Sequence, residues 1–271
     1  MQIDSLSFCG DGLKGVFQAG ALHELRMHKI RAKTICGTSI GAVTALVECM
    51  GWSTSLETML SFIPKKCCPC DQLKQSPCVA YLHGWITNSC FVPNALSKIR
   101  LRMLRWIWAN LRKDPNAYKR CNGRLQITVT DCETRMPRVV CHFKSNAHLF
   151  TCIRATTCIP WATCARPVCL DGRKCIDGGA CDTAPAINGC TVIVGCQPYS
   201  QQGTISYVTK KSWWPEISAC LEDDAAYCVK SHEYYRCLYA LGRARAHCYI
   251  HACLLPRRHR RLSRDHTEET S

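Results

Sequence analysis

Two short stretches carry residues whose types and spacing can do chemistry. The first, Gly37-Thr38-Ser39-Ile40-Gly41, has the G-x-S-x-G form. Apolar Ile35 and Cys36 precede it and a helix-capable run from Ile40 to Met50 follows. A serine held between a strand end and a helix start sits on a sharp turn, with its hydroxyl exposed as a nucleophile. The helix N-terminus behind it favours negative charge. Gly37 and Gly41 leave room for the turn and for close strand–helix packing. The second stretch, Gly10-x-Gly12-x-x-Gly15, is entered from the strand-like Ser5–Cys9. As a dinucleotide fingerprint it requires an acidic residue ending the next strand, about 20 residues on. That strand, near Ala32–Cys36, runs instead into Gly37-Thr38-Ser39, so the dinucleotide reading fails. As an anion cradle, its successive backbone N–H groups face an oxygen that becomes negative during acyl transfer. This second reading calls for a nucleophile at the end of the following strand, which is the position of Ser39.

The elements that must position these groups are partly legible. The glycine turn opens a helix with Phe17, Leu22 and Leu25 as core candidates. Asn94 can cap a helix from Ala95 to Lys113. Its Leu96, Ile99, Met103, Ile107 and Leu111 share one face, while Lys98, Arg102, Arg105 and Arg112 lie largely elsewhere. Such a helix either packs on the sheet or, with Trp106 and Trp108, lies on an anionic membrane. Leu125–Asp131 alternates as a strand does, and Arg138–Phe143 reads as its hairpin partner. Asp131 is a second acid, but it precedes the turn Cys132–Pro137, where a structural role is expected.

The two glycine-bearing stretches together resemble the patatin-like phospholipase family, including its animal triacylglycerol-lipase branch. The resemblance implies an Asp-Gly-Gly or Asp-Gly-Ala triplet well downstream, and Asp177-Gly178-Gly179 supplies it. Its approach, Ile153-Arg-Ala-Thr-Thr-Cys-Ile-Pro160, and the following Thr191–Ser200 are also similar to the family. What the resemblance implies is an α/β fold: a three-layer α/β/α sandwich with a central, mainly parallel sheet. The reaction implied is hydrolysis of a fatty acyl ester of phospholipid or acylglycerol. Ser39 attacks the carbonyl and Asp177 takes and returns the proton. Gly10, Asp11 and Gly12, with the Ile40 N–H, hold the oxyanion. An ionised aspartate is a weak base, so the dyad requires Asp177 to be buried enough to raise its proton affinity. The mechanism requires no metal and no cofactor. The partner implied is a lipid substrate at a membrane or lipid-droplet surface. One departure concerns Asp11, where the family often has glycine: it brings a Cβ and an acid to a loop that can need positive φ.

Three other readings stay open. A Ser-His-Asp triad would need His232, His247 or His251, all in a helix-like segment after Asp177. A chain that keeps the fold can serve as a lipid-surface or interaction module without catalysis. An acyltransferase shares the same acyl-enzyme, with an alcohol in place of water.

Composition bounds the rest. With 271 residues and 47% hydrophobic content, the chain can bury one large domain. Residues 1–209 are expected to form the acyl hydrolase domain, interrupted by an insertion at about 52–93. Residues 210–255 are expected as a C-terminal helical appendage and 256–271 as a basic, disordered tail. A net charge of +15 suits an anionic surface, and no repeat or finger spacing points to nucleic acid. Twenty-four cysteines are scattered through apolar segments, as small buried hydrophobes would be. The Cys67–Cys70 cluster holds one C-x-x-C, without a second pair at zinc-ribbon spacing. With no basic leader at Met1 and no apolar run of about 18 residues, the expected setting is intracellular, cytoplasmic or peripheral on membranes.

Overall fold

The structure, a computed structural model, describes residues 1–64, 95–160, 162–182, 185, 191–195, 204–206 and 230–255. Eight strands among them form one sheet. They are β1 (Gln2–Phe8), β2 (Arg31–Thr38), β3 (Leu125–Asp131), β4 (Pro137–Val140), β5 (Val168–Leu170), β6 (Arg173–Asp177), β7 (Thr191–Gly195) and β8 (Thr204–Ser206). The run β3-β2-β1-β7-β8 is parallel, while β4, β5 and β6 join antiparallel. Ser5–Phe8 and Ile35–Thr38 are buried without a break, and β3 is buried from Ile127 to Asp131. Strands with one wet face alternate; continuous burial means that both faces of the sheet are covered. The result is the layered α/β architecture expected, a mainly parallel sheet flanked by helices.

Seven α-helices are described: α1 (Gly15–Met27), α2 (Ile40–Met50), α3 (Leu56–Phe62), α4 (Ala95–Lys113), α5 (Ala117–Cys121), α6 (Asn146–Thr156) and α7 (His232–Tyr249). The core candidates Phe17, Leu22 and Leu25 of α1 are at most 1% exposed. On α4, Ile99, Met103, Ile107 and Leu111 are buried and Leu96 is half-buried. Its tryptophans pack on the protein: Trp106 edge-on against Trp52 and Phe62, and Trp108 against Phe150. Tyr235, Leu238, Tyr239 and Ala246 of α7 are buried, and this helix lies along α1. Serine hydroxyls cap three of the helices, Ser55 on α3, Ser145 on α6 and Ser231 on α7, each accepting an amide of the first turn.

The hairpin partner of β3 is shorter than expected. Pairing stops at Val140, Cys141 and His142 are exposed, and the chain turns so that Phe143 enters the core. The Phe143 amide donates to Asn122 Oδ1 at 2.7 Å, an acceptor off the sheet. Every cysteine among the described residues is a free thiol, including the buried Cys9, Cys36, Cys152 and Cys175. Among the same residues, no helix is long and apolar enough to cross a membrane. Of the insertion expected at about 52–93, residues 65–93 with the Cys67–Cys70 cluster lie outside the described residues, as do the expected cap Asn94, the stretch 207–229 and the basic tail 256–271.

Candidate active site

Strand pairing brings together two groups far apart in the chain. Thr128 of β3 pairs with Thr38 of β2 on one side and with Val139 of β4 on the other. Its neighbour Val129 pairs with Arg138 of β4 and with Asp177 of β6. So β2 and β6 share one edge of β3, meeting end to end, and the residues at their ends are Ser39 and Asp177. Ser39 Oγ donates to Asp177 Oδ2 at 2.6 Å. Both residues are buried, at 7% and 6% exposure.

Ser39 has φ +55° and ψ −125°, a left-handed conformation rare for a residue with a Cβ. A strained backbone of this kind costs on the order of 1–3 kcal/mol and persists only when its surroundings enforce it. The enforcing contacts are close. A Cβ on Gly41 would lie 2.2 Å from the Phe8 carbonyl oxygen, so α2 begins directly against β1. The Ser39 amide donates to Thr156 Oγ1 at 2.8 Å, and that hydroxyl donates in turn to the Thr128 carbonyl at 2.6 Å. Thr156 thereby ties the end of α6 to the serine turn and to β3.

Asp177 is oriented on both oxygens. Oδ1 accepts the Gly179 amide at 2.8 Å while Oδ2 accepts the serine hydroxyl. Burial pushes its carboxyl up to about 6, against the opposing pull of those two hydrogen bonds and of the Arg100 charge. Gly178 packs against the Thr128 carbonyl, where a Cβ would come within 2.3 Å.

The glycine loop lies beside the serine: a Cβ on Gly10 would contact Ser39 Cβ at 3.4 Å. Within the loop Gly12 takes the positive φ of +55°, while Asp11 has an ordinary φ of −116°. The positive φ that a non-glycine would resist therefore falls one residue later. The Asp11 carboxylate is buried and accepts from Gln18 Nε2 at 2.5 Å. The same nitrogen donates to the Cys9 carbonyl at 2.7 Å, so both amide hydrogens of Gln18 hold the loop. Gly15 sets α1 against the Ile40 side chain, and Gly37 sets β2 against Gly41.

A cleft open to solvent is lined by Ser39, Gly12, Leu13, Ile40, Ile99, Arg100, Met103 and Thr157, among others. It adjoins an apolar cavity walled by Val16, Val43, Val47, Met59, Phe62, Ile63 and Trp106 and sharing Gly12, Leu13 and Ile40 with the first. Arg100 brings a positive charge to the lining, held by Thr157 Oγ1 at 3.1 Å and the Arg154 carbonyl at 2.7 Å. Arg100, Thr156 and Gln18 have no local signature in the sequence, because each acts on a partner in another element.

The remaining candidates lie elsewhere. Asp131 accepts the Glu133 and Thr134 amides and the Arg173 guanidinium, which hold its carboxyl below the usual range. That is the structural turn role expected of it. His232 faces the Ile63 carbonyl, His247 faces Glu24, and His251 packs beside His28. Among the described residues, none of these histidines hydrogen-bonds to Ser39 or Asp177.

Residues 6–188 match a family model described as patatin-like phospholipase. The chain belongs to the patatin-like phospholipase family. Among solved structures, this patatin-like chain is similar to VipD from Legionella pneumophila, at 13% identity and TM-score 0.40, covering 87% of this chain and 66% of that one. It is also similar to the type III effector protein ExoU, at 14% identity and TM-score 0.41, covering 91% and 52%. A heterodimeric ExoU–SpcU complex from Pseudomonas aeruginosa gives 15% identity, TM-score 0.39, and 92% and 51% coverage. The chain thus spans just under two thirds of VipD and about half of ExoU. A comparison with curated protein sequences found no match.

Proposed function

We propose that this chain is a serine lipid acyl hydrolase working through a Ser39–Asp177 dyad. Membership of the patatin-like phospholipase family supports lipid hydrolysis in general. The observation that carries the finer reading is the 2.6 Å hydrogen bond from Ser39 Oγ to Asp177 Oδ2 beside an apolar cavity.

The substrate's acyl chain occupies the apolar cavity and its ester carbonyl lies over Ser39. Asp177 accepts the hydroxyl proton as Oγ forms a bond to the carbonyl carbon. The negative charge passes to the carbonyl oxygen, which the amides of the Gly10–Gly12 loop and of Ile40 stabilise. One such donor contributes roughly 3 kcal/mol to lowering the barrier. As the tetrahedral intermediate collapses, the C–O bond to the leaving alcohol breaks and Asp177 returns its proton to that alcohol. Water then attacks the acyl-serine with Asp177 as base, releasing fatty acid and restoring the hydroxyl. A carboxylate near 6 is a better base at neutral pH than one near 3.8, and its bond to Gly179 keeps it aimed. The Asp11 carboxylate faces Gln18, which supports an active loop over an inactive one.

The test is product analysis by mass spectrometry on vesicles that mix phospholipid and acylglycerol. Wild type is expected to release free fatty acid, while Ser39→Ala and Asp177→Asn release none though folded. Undiminished release by either variant overturns the dyad. Esterified products in place of free acid would favour acyl transfer.

A further inference from the structure

Away from the proposed dyad, the far ends of α1 and α7 assemble a cluster that the acyl-transfer chemistry does not use. The two helices touch backbone to backbone. A Cβ on Gly20 would lie 2.1 Å from the Tyr239 carbonyl oxygen, and one on Gly242 would lie 2.1 Å from that of Phe17. From that crossing both helices run on in the same direction. Glu24 comes opposite Arg243 and His247, and His28 comes opposite His247 and His251. Each helix contributes its pair at a spacing of four residues, which puts both members on one face. His251 lies in a single wide turn of π-helix, Ile250–Leu254, that continues α7. Such turns often mark functional positions.

We infer that His28, His247 and His251 form a binding site for a divalent transition metal of the zinc class, with the Glu24 carboxylate beside it holding two of the imidazoles. One ring nitrogen from each imidazole lies within 4.8 Å of the other two. Glu24 Oε1 lies 3.4 Å from His28 Nε2 and 3.2 Å from His247 Nδ1. Ligand bonds of ~2.0–2.1 Å in a tetrahedron put ligand atoms ~3.3 Å apart, which the three ring nitrogens approach, and a carboxylate bonded to an imidazole orients it toward a metal. His251 Nε2 is a buried ring nitrogen with no hydrogen-bond partner among the described residues, as a lone pair awaiting a ligand would be. Behind the cluster, Arg243 donates to the other Glu24 oxygen at 3.0 Å and fixes the carboxylate. His247 is exposed, which gives an ion a route in.

The 13 residues of α1 separate this cluster from the glycine loop by roughly 20 Å at 1.5 Å per residue. The metal therefore clamps α7 to α1 and takes no part in ester chemistry. The experiment uses the full chain, reduced and freed of metal by chelator. Zinc is titrated calorimetrically into wild type and the double variant His247→Ala/His251→Ala, because the many thiols can also take zinc and only the difference reports this site. Expected are one extra equivalent in wild type, a rise of several degrees in its Tm on adding zinc, and binding at this site weaker by at least roughly 100-fold in the variant. Cobalt(II) added to wild type provides a measurement that needs no variant. It should show the visible bands of a low-coordinate nitrogen–oxygen site, separate from thiolate charge transfer. Equal zinc stoichiometry and equal Tm shifts in the two proteins, or a cobalt spectrum made of thiolate charge transfer alone, would overturn the assignment.

Discussion

Replacing Asp177 with asparagine should make the folded protein more stable at neutral pH, and the gain should depend on pH in a defined way. The native protein holds the Asp177 proton more tightly than an unfolded chain does, at about 6 against 3.8. The protonated carboxyl therefore favours folding. That contribution is fully present below pH 3.8 and is lost as pH rises through about 6. A gap of about two pH units corresponds to about 3 kcal/mol, a magnitude usable here because the carboxyl is almost fully buried. Asparagine carries no charge at any pH and keeps the contribution throughout. Its carbonyl can accept the Gly179 amide while its NH2 group donates to Ser39 Oγ, so any change in hydrogen bonding is a constant offset. Urea unfolding of both proteins from pH 4 to 8 reads the effect. The stability of the variant relative to wild type should rise by about 3 kcal/mol across that range, centred between pH 4 and 6. In thermal melts this is roughly 6–12 °C. The same ionisation governs the proposed base, so hydrolysis by wild type should climb with pH through about 6 as stability falls. A difference between variant and wild type that stays flat from pH 4 to 8 would refute the argument, since the buried carboxyl would then not be holding its proton.

Ser39→Gly should abolish hydrolysis yet raise stability by about 1–2 kcal/mol, because glycine adopts φ +55° without the Cβ penalty. Chemical denaturation of this variant beside Ser39→Ala checks it; equal stability in the two would mean the turn is unstrained. Thr156→Val removes the hydroxyl that bridges the Ser39 amide and the Thr128 carbonyl, leaving both buried without that partner. It should cost about 2–4 kcal/mol in stability and lower kcat more than KM is changed, read from unfolding and steady-state hydrolysis.

The sequence made part of this site legible and hid the rest for physical reasons. The serine turn is local: strand, Gly37, Ser39, Gly41 and helix are contiguous, and the close approach of Gly41 to Phe8 is what its small size announces. The turn role of Asp131 is local too, since two of its three bonds reach amides within three residues. Asp177 stands 138 positions from Ser39, and nothing in its own neighbourhood says which edge of the sheet it joins. Only the family's triplet pointed there; the geometry is decided by β2 and β6 sharing an edge of β3. The alternation of Leu125–Asp131 marks a strand but not its depth. Thr128 and Thr130 are as buried as Ile127 and Val129, because the polar face lies under the site. Gln18, Arg100 and Thr156 read as ordinary helical polar residues until α1, α4 and α6 are packed. The offset of positive φ from Asp11 to Gly12 is likewise invisible in the composition of the loop.

The central claim is that Asp177 activates the Ser39 hydroxyl for attack. The most direct measurement is peptide mapping by mass spectrometry after brief exposure to a fluorophosphonate, which captures an activated serine at phosphorus. A single adduct on Ser39 is expected in wild type and none on that residue in Asp177→Asn over the same time. Labelling of Ser39 at an undiminished rate in the asparagine variant, or no adduct on Ser39 in wild type, would contradict it.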